Sequence, residues 1–255
     1  MVLIKGEFVV GWKWQMIQNR RIKFRLNTPR FTFKALRWCS ILMLLVVLGI
    51  TTGCNPTKPD LRLAVASNMQ FLMPDIVADF ENETGAKVEI VTGSSGKLFA
   101  QIINGAPYDV FLSADTIFPN RLKKQKLTRG EWKVFALGSL VLWSKDTLKG
   151  SIHDYLHIRS ISLTDTKSKW AMANPRTAPF GFATAKYLKK MKLLKALQST
   201  KVQAESISQV NQFIHTHSVA FGFTSKSSVI AKNISPHFWR EISRNHYPAI
   251  PQTAI

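Results

Sequence analysis

The 255 residues are enough for one large domain or for two lobes with cores of their own. Hydrophobic residues make up 45% and charged residues 20%, a globular balance that sets disorder aside. A formal net charge of +20 first suggests nucleic acid or anionic lipid, but its distribution argues otherwise. Residues 1–53 hold nine basic residues and one acidic residue, a net of +8, and the remaining +12 is scattered in ones and twos. The densest cluster, Arg121, Lys123, Lys124 and Lys126, reads as a solvated helix end. Both cysteines, Cys39 and Cys54, lie at the front, so the body has no cysteine pair and no cysteine-based metal site. His153 and His157 are spaced for one helix face, and His215 and His217 flank a turn. Neither pair sits in an HExxH pattern, and no protein-ligated metal is expected.

Arg30, Lys34 and Arg37 precede an apolar run from Ile41 to Ile50, which is followed by Thr51-Thr52-Gly53-Cys54. A basic flank, an apolar stretch too short to span a bilayer and small residues at its end make a secretory signal over 30–54. Its ending resembles a bacterial lipobox in Gly53-Cys54, with Thr51 where that motif has Leu, and it makes Cys54 the candidate lipidated residue. Residues 1–29 have no place in a signal peptide and are expected to be an extension upstream of the true start. Residues 55–60 read as a linker rich in Pro and Asn.

From 61 onward short β-like runs alternate with helical stretches. Strands are predicted at 61–66, 87–91, 109–113, 137–143, 171–173, 201–203 and 219–223. Helices are predicted at 69–83, 98–104, 116–124, 180–194 and 208–215. In the first helix Leu72, Ile76 and Phe80 are spaced to form one apolar face. Repeated βα units argue for parallel sheets wrapped by helices, an α/β fold.

In such folds ligands sit beyond the carboxyl ends of strands, where helices begin. Three of these junctions stand out: Ala66-Ser67-Asn68, Gly93-Ser94-Ser95-Gly96, and the run from Asn174 through Pro179 to Phe180 and Gly181. Each offers free backbone N–H groups at the positive end of a helix, the arrangement that a small anion needs. Simple N-capping by Ser or Asn would account for any one of them. The two glycines around Ser94-Ser95 exceed what a cap requires and would let the backbone approach a ligand. A Walker A loop is ruled out by Val91 and Leu98, and no GxSxG elbow is present.

Several segments, in this order, resemble the periplasmic molybdate-binding proteins of ATP-binding cassette transporters. They are Ala66-Ser67-Asn68, the stretch from Thr92 to Leu98, the stretch from Gln101 through Asn104-Gly105-Ala106-Pro107 to Ser113-Ala114-Asp115, and Thr177-Ala178-Pro179-Phe180-Gly181. The resemblance implies a two-lobed periplasmic-binding-protein fold of type II, each lobe a βα sheet sandwich. Lobe I would comprise 61–137 plus 247–255, and lobe II 138–246. It implies no enzymatic activity and no cofactor. The ligand would be molybdate or tungstate, held between the lobes by neutral donors. Matched to the motifs, the ligands would be Ser67, Asn68 and Ser95, with Phe180 and Ile207 binding through the main chain. Some members add a Tyr hydroxyl after the strand that ends here in Gly222-Phe223, where Ser225 is the candidate replacement. Ser94 is expected to point away from the site. The resemblance further implies a monomer outside the cytoplasm, partnered by the permease and ATPase of an importer. It would touch the membrane through a lipid anchor only and would not bind nucleic acid.

Family members continue beyond the segment matching Asn245–Pro251 with a strand and helices that complete lobe I, whereas this sequence stops at Ile255. The expectation is an incomplete lobe with bare apolar sheet surface, less stable than an extended chain and in one reading non-functional. Three other readings stand beside molybdate capture. One is a binding protein of the same architecture for tungstate, sulfate or another oxyanion. Another is a regulatory ligand-sensing or nucleic-acid-binding domain, against which the signal peptide and the lack of a helix-turn-helix segment argue. The last is an enzyme, for which no nucleophile–base set is present.

Overall fold

The computed structural model describes residues 58–161 and 169–255. The segments expected to be a signal peptide and an upstream extension, with Cys54, lie outside the described residues.

The first strand, β1 (Leu61–Ala66), is apolar except for Arg62 and becomes fully buried at its C-terminal half. It pairs in parallel with β2 (Val88–Gly93) on one side and β3 (Val110–Ser113) on the other. Parallel neighbours require crossover connections, and α1 (Met73–Thr84) and α2 (Ser95–Ile103) supply them. Gly85 ends α1 with φ of 71°, a left-handed C-cap that glycine adopts without strain. After α3 (Ile117–Lys124) comes β4 (Lys133–Gly138). The final strand, β10 (Ile250–Ala254), lies antiparallel between β3 and β4, which gives a sheet of order β2-β1-β3-β10-β4. A return strand is therefore in place in this sheet.

The second sheet has the order β7-β6-β8-β5-β9. Its strands are β5 (Leu140–Ser144), β6 (Trp170–Ala173), β7 (Lys201–Ala204), β8 (Phe221–Ser225) and β9 (Trp239–Glu241). Helices α4 (Ile152–Ile161), α5 (Pro179–Lys190), α6 (Ile207–His215) and α7 (Lys226–Ala231) connect them. Strand β6 runs parallel to β7 and β8, while β5 is antiparallel to β8 and β9. Both sheets are therefore mixed: parallel across β2-β1-β3 and β7-β6-β8, as the repeated βα units predict, and antiparallel elsewhere. The strands that break the parallel pattern, β5 and β10, are those that arrive from the other sheet.

The sequence run 137–143 had read as one strand. It is two strands in two sheets, β4 and β5, with the change of direction at Ser139. Gly138 makes this crossing possible, because a Cβ there would lie 2.9 Å from both Gln252 Nε2 and Phe180 Cζ. Hydrophobic periodicity is the same on either side of such a corner, so it carried no signal of the change.

The core of the second sheet is aromatic. Trp170 stacks on Phe221 with centroids 6.0 Å apart and meets Phe223 edge-on at 5.7 Å. Its Nε1 donates to the Leu197 carbonyl at 2.7 Å, so the one polar atom of the buried indole is satisfied. A second cluster, including Leu98, Phe99, Phe111, Phe118 and Leu122, fastens α2 and α3 to the first sheet. Burial of each such side chain stabilises the fold by about 1.5–3 kcal/mol. In α1 the buried residues are Met73 and Val77, whereas Leu72, Ile76 and Phe80 are 40–53% exposed. Ile76 and Phe80 of the apolar stripe read from the sequence nevertheless border an apolar cleft with Leu61, Leu63, Val88 and Val110 of the first sheet, so this face meets the sheet and is only partly covered.

Candidate functional site

Each strand-to-helix junction singled out above lies at the carboxyl end of a strand, β1, β2 or β6. After β1 the chain makes a tight 3-10 turn, Ser67–Met69, whose three residues are all buried. After β2, Ser94 holds an extended backbone and α2 begins at Ser95. In the second sheet, Asn174 arranges the turn after β6. Its carbonyl accepts from Thr177 N and Ala178 N, and its side-chain oxygen from Arg176 N at 3.0 Å. Helix α5 starts at Pro179, and because proline has no N–H, Phe180 carries the first free one. After β7, Ser206 caps α6 through its side chain, leaving Ile207 as the first helical residue.

These junctions converge. One narrow cavity is bordered from the first sheet by Ser67, Asn68, Ser94, Ser95 and Ala114, and from the second by Ala178, Phe180 and Ile207. The structure thus brings together Ser67, Asn68, Ser95, Phe180 and Ile207, which come from two sheets and four separate stretches of sequence. These residues are between 0% (Ser95) and 6% (Asn68) exposed. Among the described residues, no Asp, Glu, Lys, Arg or His borders the cavity. Its polarity comes from hydroxyls and from the first turns of α2, α5 and α6, whose leading N–H groups have no partner within their own helices.

Four contacts close the sheets over the cavity. Gly96 N donates to the Thr177 carbonyl at 2.8 Å, and Ser227 Oγ donates to the Asn68 carbonyl at 2.8 Å. The side chains of Ser208 and Gln70 are hydrogen-bonded, and Lys97 Nζ lies 2.9 Å from Glu205 Oε2. Gly96 is the glycine that this approach requires: a Cβ there would sit 2.8 Å from Phe118 Cζ and 2.8 Å from Thr177 Cα. At Gly93 a Cβ would meet only the Leu98 side chain, at 3.3 Å.

Residues 61–255 match the family model of bacterial extracellular solute-binding proteins. The chain belongs to that family. It is 36% identical over 192 residues to the molybdate-binding protein ModA of Azotobacter vinelandii, an alignment covering 74% of each chain. It is 33% identical over 193 residues to the molybdate-binding protein ModA of Rhodobacter capsulatus, covering 75% of this chain and 73% of that one. A solved structure of the periplasmic molybdate-binding protein of Azotobacter vinelandii superposes with a TM-score of 0.70 at 31% identity. That match covers 77% of this chain and 84% of the other.

Two residues sit differently from the sequence expectation. Ser225 is buried but does not border the cavity. Its Oγ accepts the Ser228 N–H at 3.3 Å and shares hydroxyl hydrogen bonds with Ser228 at 2.8 Å and Ser227 at 3.0 Å, so it caps α7. Ser94, expected to point away, borders the cavity and is 2% exposed. Ala114 escaped the sequence reading because alanine carries no chemistry of its own. Its N–H donates to Ser95 Oγ at 3.0 Å, which leaves the Ser95 hydroxyl proton free to be donated elsewhere. Beside it, the Asp115 carboxyl is raised above its ordinary value, chiefly by burial. Hydrogen bonds from Phe118 N and the Ser113 hydroxyl oppose the shift.

A wider cleft of ≈ 550 Å³ lies nearby, with Arg121, Arg176 and Pro248–Pro251 in its wall. It is larger than a tetrahedral ion needs, and its wall contains none of the five residues named from the sequence.

Proposed function

We propose that this chain captures a small, fully deprotonated tetrahedral oxyanion, foremost molybdate, and presents it to the permease and ATPase of an ATP-binding cassette importer. The observation that carries this reading is the donor-only cavity at three helix N-termini. A dianion with four oxygens wants hydrogen-bond donors and no acceptors. Phosphate keeps a proton near neutral pH and would need an acceptor for it, yet no carboxylate among the described residues borders the cavity. Identity of 36% to a molybdate-binding relative supports the same choice. In this reading Ser67 and Ser95 donate hydroxyls and backbone N–H groups, and Asn68, Phe180 and Ile207 donate N–H groups. Tungstate, with the same charge and shape, belongs to the same ligand class. The protein acts outside the cytoplasm as a binding module without catalysis, and Cys54 carries its lipid anchor.

Isothermal titration with molybdate, tungstate, sulfate and phosphate tests the reading. Molybdate and tungstate should bind tightly and phosphate should not. Ser95→Ala should cost about 1.5–3 kcal/mol, roughly tenfold to a hundredfold in Kd, since a hydrogen bond to a charged ligand is lost. Tight binding of sulfate with none of molybdate would move the assignment within the class. Binding of no oxyanion at all would overturn it. For the anchor, fatty-acid labelling should mark the wild type and not Cys54→Ser.

A further inference from the structure

We infer that the Ser94 hydroxyl is a further donor to the bound oxyanion, an inference that rests on the oxyanion reading above. Ser94 occupies the N-cap of α2 by its backbone. Its φ of −70° and ψ of 145° are extended, and its carbonyl accepts from Lys97 N at 2.9 Å and Leu98 N at 3.1 Å. A serine is favoured at this position because its side chain accepts an N–H of the first turn. Ser206 and Ser225 do this at the starts of α6 and α7, accepting from Gln209 N and Ser228 N. Ser94 does not: its side chain makes no capping bond.

The hydroxyl is nevertheless not in water. The residue is 2% exposed, and its Oγ is buried with no hydrogen-bond partner among the described residues. A buried hydroxyl without a partner is disfavoured, so its persistence points to a partner that arrives from outside the chain. Ser94 is one of the residues that border the cavity, together with Ser95, Ala114 and Phe180. Ser95 Oγ already accepts the Ala114 N–H and retains a single proton to give. Four ligand oxygens can use more donors than Ser67 and Ser95 supply, and an oxyanion in the cavity is the acceptor that Ser94 lacks.

This role has a signature that capping and packing do not share. In the ligand-free protein, Ser94→Ala removes an unsatisfied polar atom, so its melting temperature should hold or rise. In the loaded protein the same change removes a hydrogen bond. The Kd for molybdate should therefore weaken about tenfold, and the rise in melting temperature on adding molybdate should shrink. Ser94→Cys, which keeps the shape with a weaker donor, should fall between the two. The measurements are titration calorimetry and thermal melting of the full chain with sodium molybdate, with Ser95→Ala alongside. Wild-type affinity in Ser94→Ala while Ser95→Ala is weakened would overturn the inference and leave the oxyanion site standing. A fall in the ligand-free melting temperature of Ser94→Ala would show a serine used for folding and would also overturn it. A wild-type chain that binds no oxyanion would remove both readings together.

Discussion

Asn68, in the turn after the first strand, donates its side-chain Nδ2 to Gln252 Oε1 on the last strand at 2.7 Å, a buried bond across 184 residues of sequence. Gln252 in turn donates Nε2 to the Ile250 carbonyl at 2.9 Å, so its amide is held at both ends. The return strand β10 thus fixes the turn whose backbone borders the cavity. Placement of this turn depends on β10 as well as on β1.

Gln252→Ala should therefore act on both stability and binding. It leaves the Asn68 amide buried without its partner, at a cost of about 1–3 kcal/mol. Urea unfolding should show that loss, and molybdate affinity should fall as the turn loosens. An unchanged midpoint would mean that water satisfies Asn68 and that the clamp is unimportant.

Gly96→Ala separates closure from folding. Alanine is the better helix former by about 1 kcal/mol, so the helix itself should not suffer. The added Cβ collides with the Thr177 backbone and with Phe118, which forces the sheets apart and breaks the Gly96–Thr177 hydrogen bond. We expect at least a tenfold weaker Kd and a smaller ligand-induced contraction by small-angle scattering. Retained affinity with full contraction would show that the contact is not needed for closure.

The Lys97–Glu205 ion pair should matter little. Both side chains are more than half exposed, at 53% and 52%, and exposed pairs contribute about 0–1 kcal/mol before screening by salt. A double-mutant cycle on oxyanion affinity with Lys97→Ala and Glu205→Ala should give a coupling below about 1 kcal/mol that fades as salt is added. A coupling several times larger would make this pair a latch.

Asp115 should make stability depend on pH. Burial raises its carboxyl above the ordinary 3.8, so the folded chain holds that proton more tightly than the unfolded chain. The resulting stabilisation is complete below the unfolded value and is lost as pH rises through the raised one. Asp115→Asn keeps an acceptor for Phe118 N and removes the titration. The stability difference between variant and wild type should therefore grow in the variant's favour as pH climbs through that window. A difference independent of pH, measured by urea unfolding, would refute this.

The sequence alone determined what depends on neighbours along the chain. The limits of β1, the strand-to-helix character of the Ser94-Ser95 and Asn174–Gly181 segments, and the donor chemistry of the three junctions follow from periodicity, capping residues and glycine or proline within a few positions. Tertiary structure decided what depends on contacts far apart in sequence. The Ser95 hydroxyl is engaged by Ala114 N, 19 residues away, which leaves Ser94 as the unpartnered one. Ser225 is claimed by its own helix, and Gly96 rather than Gly93 is set by the approach of Thr177. The break of the 137–143 run into two sheets follows from where β10 and β5 find partners, and the partial exposure of Ile76 and Phe80 from how far the first sheet covers that face of α1. A local pattern says that a face is apolar or that a hydroxyl is free of its helix. Only the packing of distant segments says what that face or hydroxyl meets.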